Sequence, residues 1–230
     1  MSGAIAIFVK TPGVSPLKTR LAAGIGRSAA EAWYLASASA VAEVARAAIT
    51  PSIYWAIAES DLRSSTCWTG FQKLAQGEGG LGARMARVHT HLIEQHGCAL
   101  LLGADTPQIE AAELVSALNW LAASEPRASI GPARDGGFWL FGSNRRIALS
   151  DWNSVAYSRA DTRMCFQQMT AFDGFDWQQL ALRTDVDTAA DLQNCVQELD
   201  ALAPALPGQV ALANHIRDLL SGTDVGAAAS

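Results

Sequence analysis

Short apolar runs alternate with longer amphipathic stretches along this chain, and this alternation restricts its fold more than any other feature. Short apolar runs are typical of buried strands, and the longer stretches are typical of helices with one apolar face. The strands are predicted at residues 4–9, 52–58, 98–103, 128–131, 137–142 and about 179–183. The helices are predicted at residues 28–48, 82–96, 110–123, 160–169, 188–200 and near 208–220.

The predicted order of these elements, β-α-β-α-β-α-β, is typical of an α/β fold with a mostly parallel sheet and helices on both faces. Ligands of such sheets bind beyond the carboxyl ends of the strands. The residues directly after each predicted strand are therefore the first candidates for a functional site. Ser28, three residues before Glu31, is expected to cap the first long helix.

The length and the apolar content of the chain fit one domain with a sizeable core. It has 230 residues, 50% of them hydrophobic, and no linker-like segment divides it. We predict a single domain over residues 1–222, followed by a small, polar and flexible tail over residues 223–230.

The charge and the cysteine pattern restrict the partners and the compartment. A net charge of −5 argues against a protein that binds nucleic acids or membrane surfaces. The apolar start at residues 4–9 has no basic region before it, so it is interpreted as a strand and not as a signal peptide. The four cysteines are widely spaced, which indicates a reduced, cytoplasmic protein.

A basic loop, "KTPGVSPLKTR", follows the first predicted strand. It carries Lys10, Lys18 and Arg20, although the whole chain has only three lysines. Clusters of this kind typically bind phosphate oxygens, with arginine able to bind them through two nitrogens. The alternative is a solvated loop with incidental charges. The loop matches neither the Walker A motif nor G-x-G-x-x-G.

Carboxylates follow two later strands. Asp105, in "GADTPQI", is either a helix cap or an oxygen ligand for Mg²⁺ or Mn²⁺. A metal site would need a second carboxylate, and Asp185 and Asp187 in "TDVDTAADL" share one face at strand spacing.

Two glycine-rich segments complete the candidate site. The segment "QGEGGLGARM" leads into a helix, and a helix N-terminus after glycines is a plausible anion or ribose site, here with Gly80 and Arg84. The segment "GPARDGGFWLFG" contains Asp135 before two glycines and an apolar strand. It is either a hairpin turn or a place where a ligand lies close against the backbone.

Five segments in this order resemble a family of uncharacterised bacterial glycosyltransferase A-type proteins, the selenodomain-associated transferases of the nucleotide-diphospho-sugar transferase superfamily. They are "VKTPGVSPLKTRLA", "GGLGARM", "GADTP", "GPARDGGFWL" and "TDVDTAADL", and the resemblance covers about residues 4–200. It implies a single Rossmann-like, three-layer α/β/α domain of the glycosyltransferase A type. It also implies that the domain binds a nucleotide or nucleotide-sugar together with a divalent cation, Mg²⁺ or Mn²⁺.

The resemblance implies a role for each matching residue. Phosphates would be bound by Lys10, Lys18 and Arg20, the metal by Asp105 and Asp187, and the sugar or acceptor by Asp135, Gly136 and Gly137. Trp139 and Trp152 are the tryptophans expected nearest a ligand. Two departures stand out: the usual small-Asp-Cys-Pro reads Ala-Asp-Thr-Pro, and residues 103–107 lack the D-x-D of many sugar transferases.

The predicted function is the transfer of a sugar from a nucleoside-diphosphate donor to a small acceptor, with Asp135 as hydrogen-bond acceptor or base. One alternative is a nucleotidyltransferase that releases pyrophosphate from a nucleoside triphosphate, because the basic loop suits a triphosphate equally well. Another is a nucleotide-binding protein without turnover, which the isolated Asp105 keeps open.

Overall fold

A seven-stranded sheet forms the centre of the computed structural model, which describes residues 3–48, 52–62 and 65–227. The strands are β1 (Ala4–Val9), β2 (Ser52–Ile57), β3 (Gln72–Ala75), β4 (Ala99–Gly103), β5 (Arg127–Pro132), β6 (Phe138–Ser143) and β7 (Asp176–Gln179). Their order in the sheet is β3-β2-β1-β4-β6-β5-β7.

Helices cover both faces of this sheet. They are α1 (Thr19–Ile25), α2 (Arg27–Ala47), α3 (Leu81–His96), α4 (Ala111–Leu121), α5 (Leu149–Ser154), α6 (Thr162–Gln167), α7 (Ala189–Asp200) and α8 (Pro207–Ala227). A short 3-10 helix spans Thr170–Phe172. Within the described residues, no helix combines the length and the apolar character that a membrane crossing requires.

The strand directions make the carboxyl ends of the central strands meet at one edge. β1 pairs in parallel with β2 and β4, and β5 pairs in parallel with β7. Only β6 is antiparallel to its neighbours in the described sheet, lying between β4 and β5. The turn from β5 into β6 therefore lies at the same edge as the ends of β1 and β4.

The core has two parts, one on each face of the sheet. Along β1, Ile5 and Ile7 pack with α2, α4, α7 and α8 on one face, and Ala4 and Ala6 pack with α3, α5 and α6 on the other. Because both faces are covered, the central strands are almost continuously apolar. The predicted single-domain, three-layer α/β/α fold with a mostly parallel sheet is confirmed.

Several boundaries and elements differ from the prediction. β3 was not predicted, because "QKLA" at the sheet edge is half polar and half exposed. The last strand, β7, ends at Gln179, where the prediction would have it begin. The short helices α1 and α5 were also missed, because six or seven residues give too little periodicity to detect.

The ends of two helices also differ from the prediction. The predicted cap at Ser28 is wrong, since α2 begins one residue earlier after Gly26 and has no side-chain cap. α8 continues to Ala227, past the predicted domain end at residue 222, and residues 228–230 of the predicted tail lie outside the described residues.

Candidate functional site

A cleft of about 870 Å³ lies at the carboxyl edge of the sheet, where the sequence predicts the site. Most of its charged lining comes from the loop after β1, the end of β4, the β5–β6 turn and the segment before α7. The predicted charged residues among them are Lys10, Lys18, Arg20, Asp105, Asp135, Asp185 and Asp187, and the lining also includes Arg134, Arg159 and Asp191. The fold therefore brings the predicted basic loop and the predicted acids together.

Lys18 points into the carboxylates rather than into the open cleft. Its Nζ lies 2.7 Å from Asp105 Oδ2, 2.9 Å from Asp187 Oδ1 and 3.8 Å from Asp185 Oδ1. Its side chain is only 6% exposed. Lys18 also caps α1 in the left-handed region, with φ 42° and ψ 42°, a conformation that non-glycine residues seldom adopt. Three carboxylates thus converge on one cationic centre, which we call the acid cluster.

The electrostatics of the acid cluster differ from one carboxyl to the next. Burial opposes the charge of Lys18, but the three carboxylates more than offset it, so the pKa of Lys18 is raised. Burial also opposes the charge of Asp105, yet the adjacent ammonium lowers the pKa of that carboxyl. The pKa of Asp185 is raised well above its ordinary value by burial and by the charge of Asp105. Additional positive charge would therefore stabilise the ionised form of Asp185 more than that of the other two carboxyls.

Asp187 is held by contacts on two sides. Its carboxylate bonds to both Lys18 and Arg20, and the Arg20 side chain remains 72% exposed. Its backbone N–H donates to Asp191 Oδ2 at 3.1 Å. Asp191 also completes a capping box with Thr188 at the start of α7, so it is a helix cap.

Asp135 is both a turn residue and a member of the cleft. Its Oδ1 accepts a hydrogen bond from the Gly137 N–H at 2.9 Å, which fixes the turn between β5 and β6. One carboxylate oxygen each from Asp135, Asp185 and Asp187 lie within 4.8 Å of one another. The two interpretations of this segment are therefore compatible.

One glycine of this turn, Gly136, is required by packing within the chain. Gly136 has φ 91°, and a Cβ there would lie 2.0 Å from the carbonyl oxygen of Ala160. A side chain at Gly136 would thus collide with the chain's own backbone, so close packing requires glycine here whether or not a ligand is bound.

The predicted tryptophans belong to the core. Trp139 is 3% exposed, lies over Gly131 beneath the cleft and donates from Nε1 to the Ala181 carbonyl at 3.1 Å. Trp152 is fully buried and packs against His89 and Phe141 on one face of the sheet. Trp139 therefore forms part of the cleft floor, and Trp152 is a core residue.

Of the remaining predicted phosphate ligands, Lys10 lines the cleft, whereas Gly80 and Arg84 do not. Lys10 is exposed, with Nζ 3.5 Å from the Pro16 carbonyl. Gly80 caps α3, and Arg84 donates from Nε to the Gly79 carbonyl at 2.9 Å, so this arginine stabilises its own loop. Here the cleft is lined instead by Gln76, Leu81 and Met85.

Glu59 is a site-organising residue that sequence reasoning missed. The Thr11 N–H donates to both of its carboxylate oxygens, at 3.0 and 3.1 Å, and the Thr11 hydroxyl donates at 2.8 Å. These bonds fix the start of the basic loop. Burial opposes the charge of Glu59, but hydrogen bonds from Ser15 and Thr11 lower the pKa of its carboxyl. Glu59 follows β2 by two residues, so the rule of examining strand ends would have found it.

Tyr34 also contacts the basic loop, and its hydroxyl accepts the Lys10 N–H at 3.0 Å. It lies inside α2, where nothing in the sequence marks it.

The acid cluster fits a hard divalent cation. Asp105 and Asp187 already share one cationic group, the Lys18 ammonium. Asp185 Oδ1 is buried and has no hydrogen-bond partner among the described residues. Carboxylate oxygens are the ligands that Mg²⁺ prefers in proteins.

Solved structures with this fold include nucleotide-using enzymes. A Desulfovibrio desulfuricans G20 protein, described provisionally as a nucleotide-diphospho-sugar transferase, has a TM-score of 0.83 at 23% identity, over 96% of this chain and 98% of that one. A nucleotidyl transferase from Methanothermobacter thermautotrophicus has a TM-score of 0.58 at 11% identity, over 88% and 100%. A CMP:2-keto-3-deoxy-manno-octonic acid synthetase complexed with CTP has a TM-score of 0.54 at 13% identity, over 87% and 100%.

At these identities, the likeness shows a shared fold. No curated protein sequence matches the chain significantly. Residues 36–159, more than half of the chain, match a bacterial family, DUF2064, described as an uncharacterized protein conserved in bacteria. The chain therefore belongs to this family, and its fold is that of the nucleotide-diphospho-sugar transferases.

Proposed function

We propose that this protein is a transferase that moves a sugar from a nucleoside-diphosphate donor to a small acceptor. The observation that carries the proposal is the acid cluster, in which carboxylates from the end of β4 and from the segment before α7 converge on one cationic position beside the basic loop. A transferase of this type needs such a position, because negative charge develops on the diphosphate as it leaves.

The donor phosphates would lie against the basic loop. Arg20 is exposed enough to contact them, and Lys10 lines the same cleft. Asp105 and Asp187 would hold a divalent cation, Mg²⁺ or Mn²⁺, with Asp185 completing the set. When bound, this cation would neutralise the charge of the departing diphosphate.

Asp135 would act on the acceptor. The hydrogen bond from Gly137 to Oδ1 fixes the orientation of its carboxylate. A carboxylate in this position, close to Asp185 and Asp187, can accept the proton of an acceptor hydroxyl beside the bound donor.

Nucleotidyl transfer is the second candidate. Three cations in one loop suit a triphosphate as well as a diphosphate, and two of the nucleotide-using enzymes with this fold are a nucleotidyl transferase and a CTP-bound synthetase. The two reactions differ in their products. Release of a nucleoside diphosphate from a nucleotide-sugar supports sugar transfer, and release of pyrophosphate from a triphosphate supports nucleotidyl transfer.

The binding test compares two exposed arginines. Calorimetry with a panel of nucleotides and nucleotide-sugars, with and without Mn²⁺, would be run on the wild type, Arg20→Ala and Arg27→Ala. Arg27 is the matched control, because it is similarly exposed and pairs with Glu31 outside the acid cluster. We expect Arg20→Ala to lose about 1.5–3 kcal/mol of nucleotide affinity, the range for charged hydrogen bonds, and Arg27→Ala to lose none. Equal affinities for every nucleotide would refute the phosphate assignment.

A further inference from the structure

We propose that Lys18 makes cation binding and phosphate binding in this cleft depend on each other, because its ammonium holds the oxygens that a divalent cation needs. The inference concerns the regulation of the proposed site, and it rests on the proposed function. Neither ligand binds tightly alone, and each strengthens the binding of the other.

The first step is the conflict over oxygens. Lys18 Nζ lies 2.7 Å from Asp105 Oδ2 and 2.9 Å from Asp187 Oδ1. A Mg²⁺ ion bound to the same oxygens would lie at about 2.0–2.1 Å from each. The two cations cannot occupy this position together, so the ammonium must leave when the divalent cation binds.

The second step is that the side chain can leave while the backbone stays. The Lys18 carbonyl accepts the Ala22 N–H at 2.8 Å and so holds the first turn of α1. The left-handed backbone conformation of Lys18 is of the kind that persists only where surrounding contacts impose it. The hydrogen bond from Ala22 is such a contact and does not involve the side chain, so the flexible four-carbon stem allows the ammonium to swing away.

The third step is where the charge goes. A displaced ammonium needs an anionic partner, and it would move beside Arg20, which bonds to the other oxygen of Asp187, Oδ2. Both cations belong to the basic loop, so a phosphate group bound in the cleft can accept them. The cation thus releases Lys18 as a phosphate ligand beside Arg20, and the phosphate stabilises the ammonium outside the acid cluster. Such coupling is reciprocal by thermodynamic necessity.

The test measures Mn²⁺ binding by the loss of the free-ion electron paramagnetic resonance signal, with and without inorganic pyrophosphate. Titrations without protein correct for Mn²⁺ complexed by pyrophosphate in solution. The variant is Lys18→Met, which keeps the length and removes the charge. The matched control is Lys73→Met, because Lys73 is a partly buried lysine that donates to the Ser65 carbonyl at 2.7 Å outside the cleft.

In the wild type and in Lys73→Met, we expect weak Mn²⁺ binding that pyrophosphate strengthens at least tenfold. In Lys18→Met, we expect Mn²⁺ alone to bind at least tenfold more tightly than in the wild type, with most of the pyrophosphate effect lost. Asp187→Asn, introduced into the wild type and into Lys18→Met, should weaken Mn²⁺ binding in both proteins. This result would place the ion at the Asp187 carboxylate.

Two results overturn the inference. One is equal Mn²⁺ affinity in folded Lys18→Met and in the wild type. The other requires no variant: Mn²⁺ binds to the wild type equally with and without pyrophosphate. Absence of Mn²⁺ binding under both conditions counts as this result too. Failure of sugar transfer with every donor would instead refute the proposed function and leave the Mn²⁺ comparison intact.

Discussion

Lys18 and His89 are both buried, but their surroundings have opposite character. Lys18 lies among three carboxylates at the carboxyl edge of the sheet. His89, on α3, is fully buried between the rings of Phe141 and Trp152, whose centroids are 5.7 and 5.6 Å from its own. Its Nε2 bonds to the Ser143 hydroxyl at 2.8 Å. We call this second region the aromatic cluster.

The difference shows that partners, not burial, decide whether an interior group keeps its charge. Burial disfavours the charged form in both regions. The carboxylates raise the pKa of Lys18, whereas burial without a charged partner lowers the pKa of His89 to about 3. The acid cluster therefore keeps its charged groups, and the aromatic cluster excludes charge.

The largest expected effect is a loss of activity caused by a change in the cleft, where the aromatic cluster has no part. Asp135→Asn keeps the turn, because asparagine can accept the same hydrogen bond from Gly137, but it removes the base. We expect turnover to fall by about 10²–10⁴, with donor binding preserved. Steady-state kinetics would be compared with Asp176→Asn, an exposed change at the start of β7. Near-wild-type turnover in Asp135→Asn would make Asp135 a turn residue only.

Phe141→Ala should affect stability alone. Phe141 is fully buried, with ring contacts to Trp152 and Phe166 at 5.4 and 4.8 Å. Its truncation should cost about 3–5 kcal/mol in the free energy of unfolding, measured with urea, without changing nucleotide affinity in the folded variant. The control is Phe71→Ala, since Phe71 is partly exposed and should cost less. A similar loss of unfolding free energy in both variants would show that the aromatic cluster contributes no more to stability than a partly exposed ring does.

Acid should destabilise the protein through His89. The folded state keeps this ring neutral down to about pH 3, whereas in the unfolded chain it binds a proton below about pH 6.5. The unfolded state therefore binds more protons between these values, and stability falls as the pH falls. The loss is about 1.36 kcal/mol per pH unit, or about 2 kcal/mol between pH 6.5 and 5.

Urea unfolding of the wild type and of His89→Phe across this range would isolate the contribution of His89. The Ser143 hydroxyl keeps its bond to the Arg145 carbonyl in the variant, so no new unpaired group is created. Parallel pH profiles for the two proteins would assign the acid sensitivity elsewhere.

The smallest effect should have the opposite sign. Asp185→Asn removes a carboxyl whose pKa is raised by burial and by the charge of Asp105. A raised carboxyl pKa lowers stability as the pH rises above its ordinary value, so the variant should be more stable at pH 7. The expected gain is about 0.5–2 kcal/mol, and it should vanish near pH 3.5. A loss of stability at pH 7 would show that Asp185 supports the fold.

The sequence predicts the central sheet well, because strands covered on both faces are continuously apolar and contrast with their surroundings. It also places Asp105 at the carboxyl edge, since a strand end determines the position of the residue that follows. Asp187 lies in the same cleft, but it comes well after the end of β7 at Gln179, so no strand end explains its position. The direction of Lys18 could not be predicted. It depends on a left-handed backbone at that residue and on acids more than eighty positions away. The packing of Gly136 against the Ala160 backbone could not be predicted either, because Ala160 is likewise distant in sequence.

The antiparallel strand β6 has a consequence for how such proteins diversify. Because β6 runs against β4 and β5, the hairpin at residues 133–137 delivers Asp135 to the functional edge without a crossover helix. Residues inserted next to Asp135 would change the lining of the cleft and leave the strand pairing on both sides in place. Under the proposed function, evolution or design can therefore alter acceptor choice here as long as Gly136 keeps its packing against Ala160, which makes this hairpin the first segment to exchange between related chains.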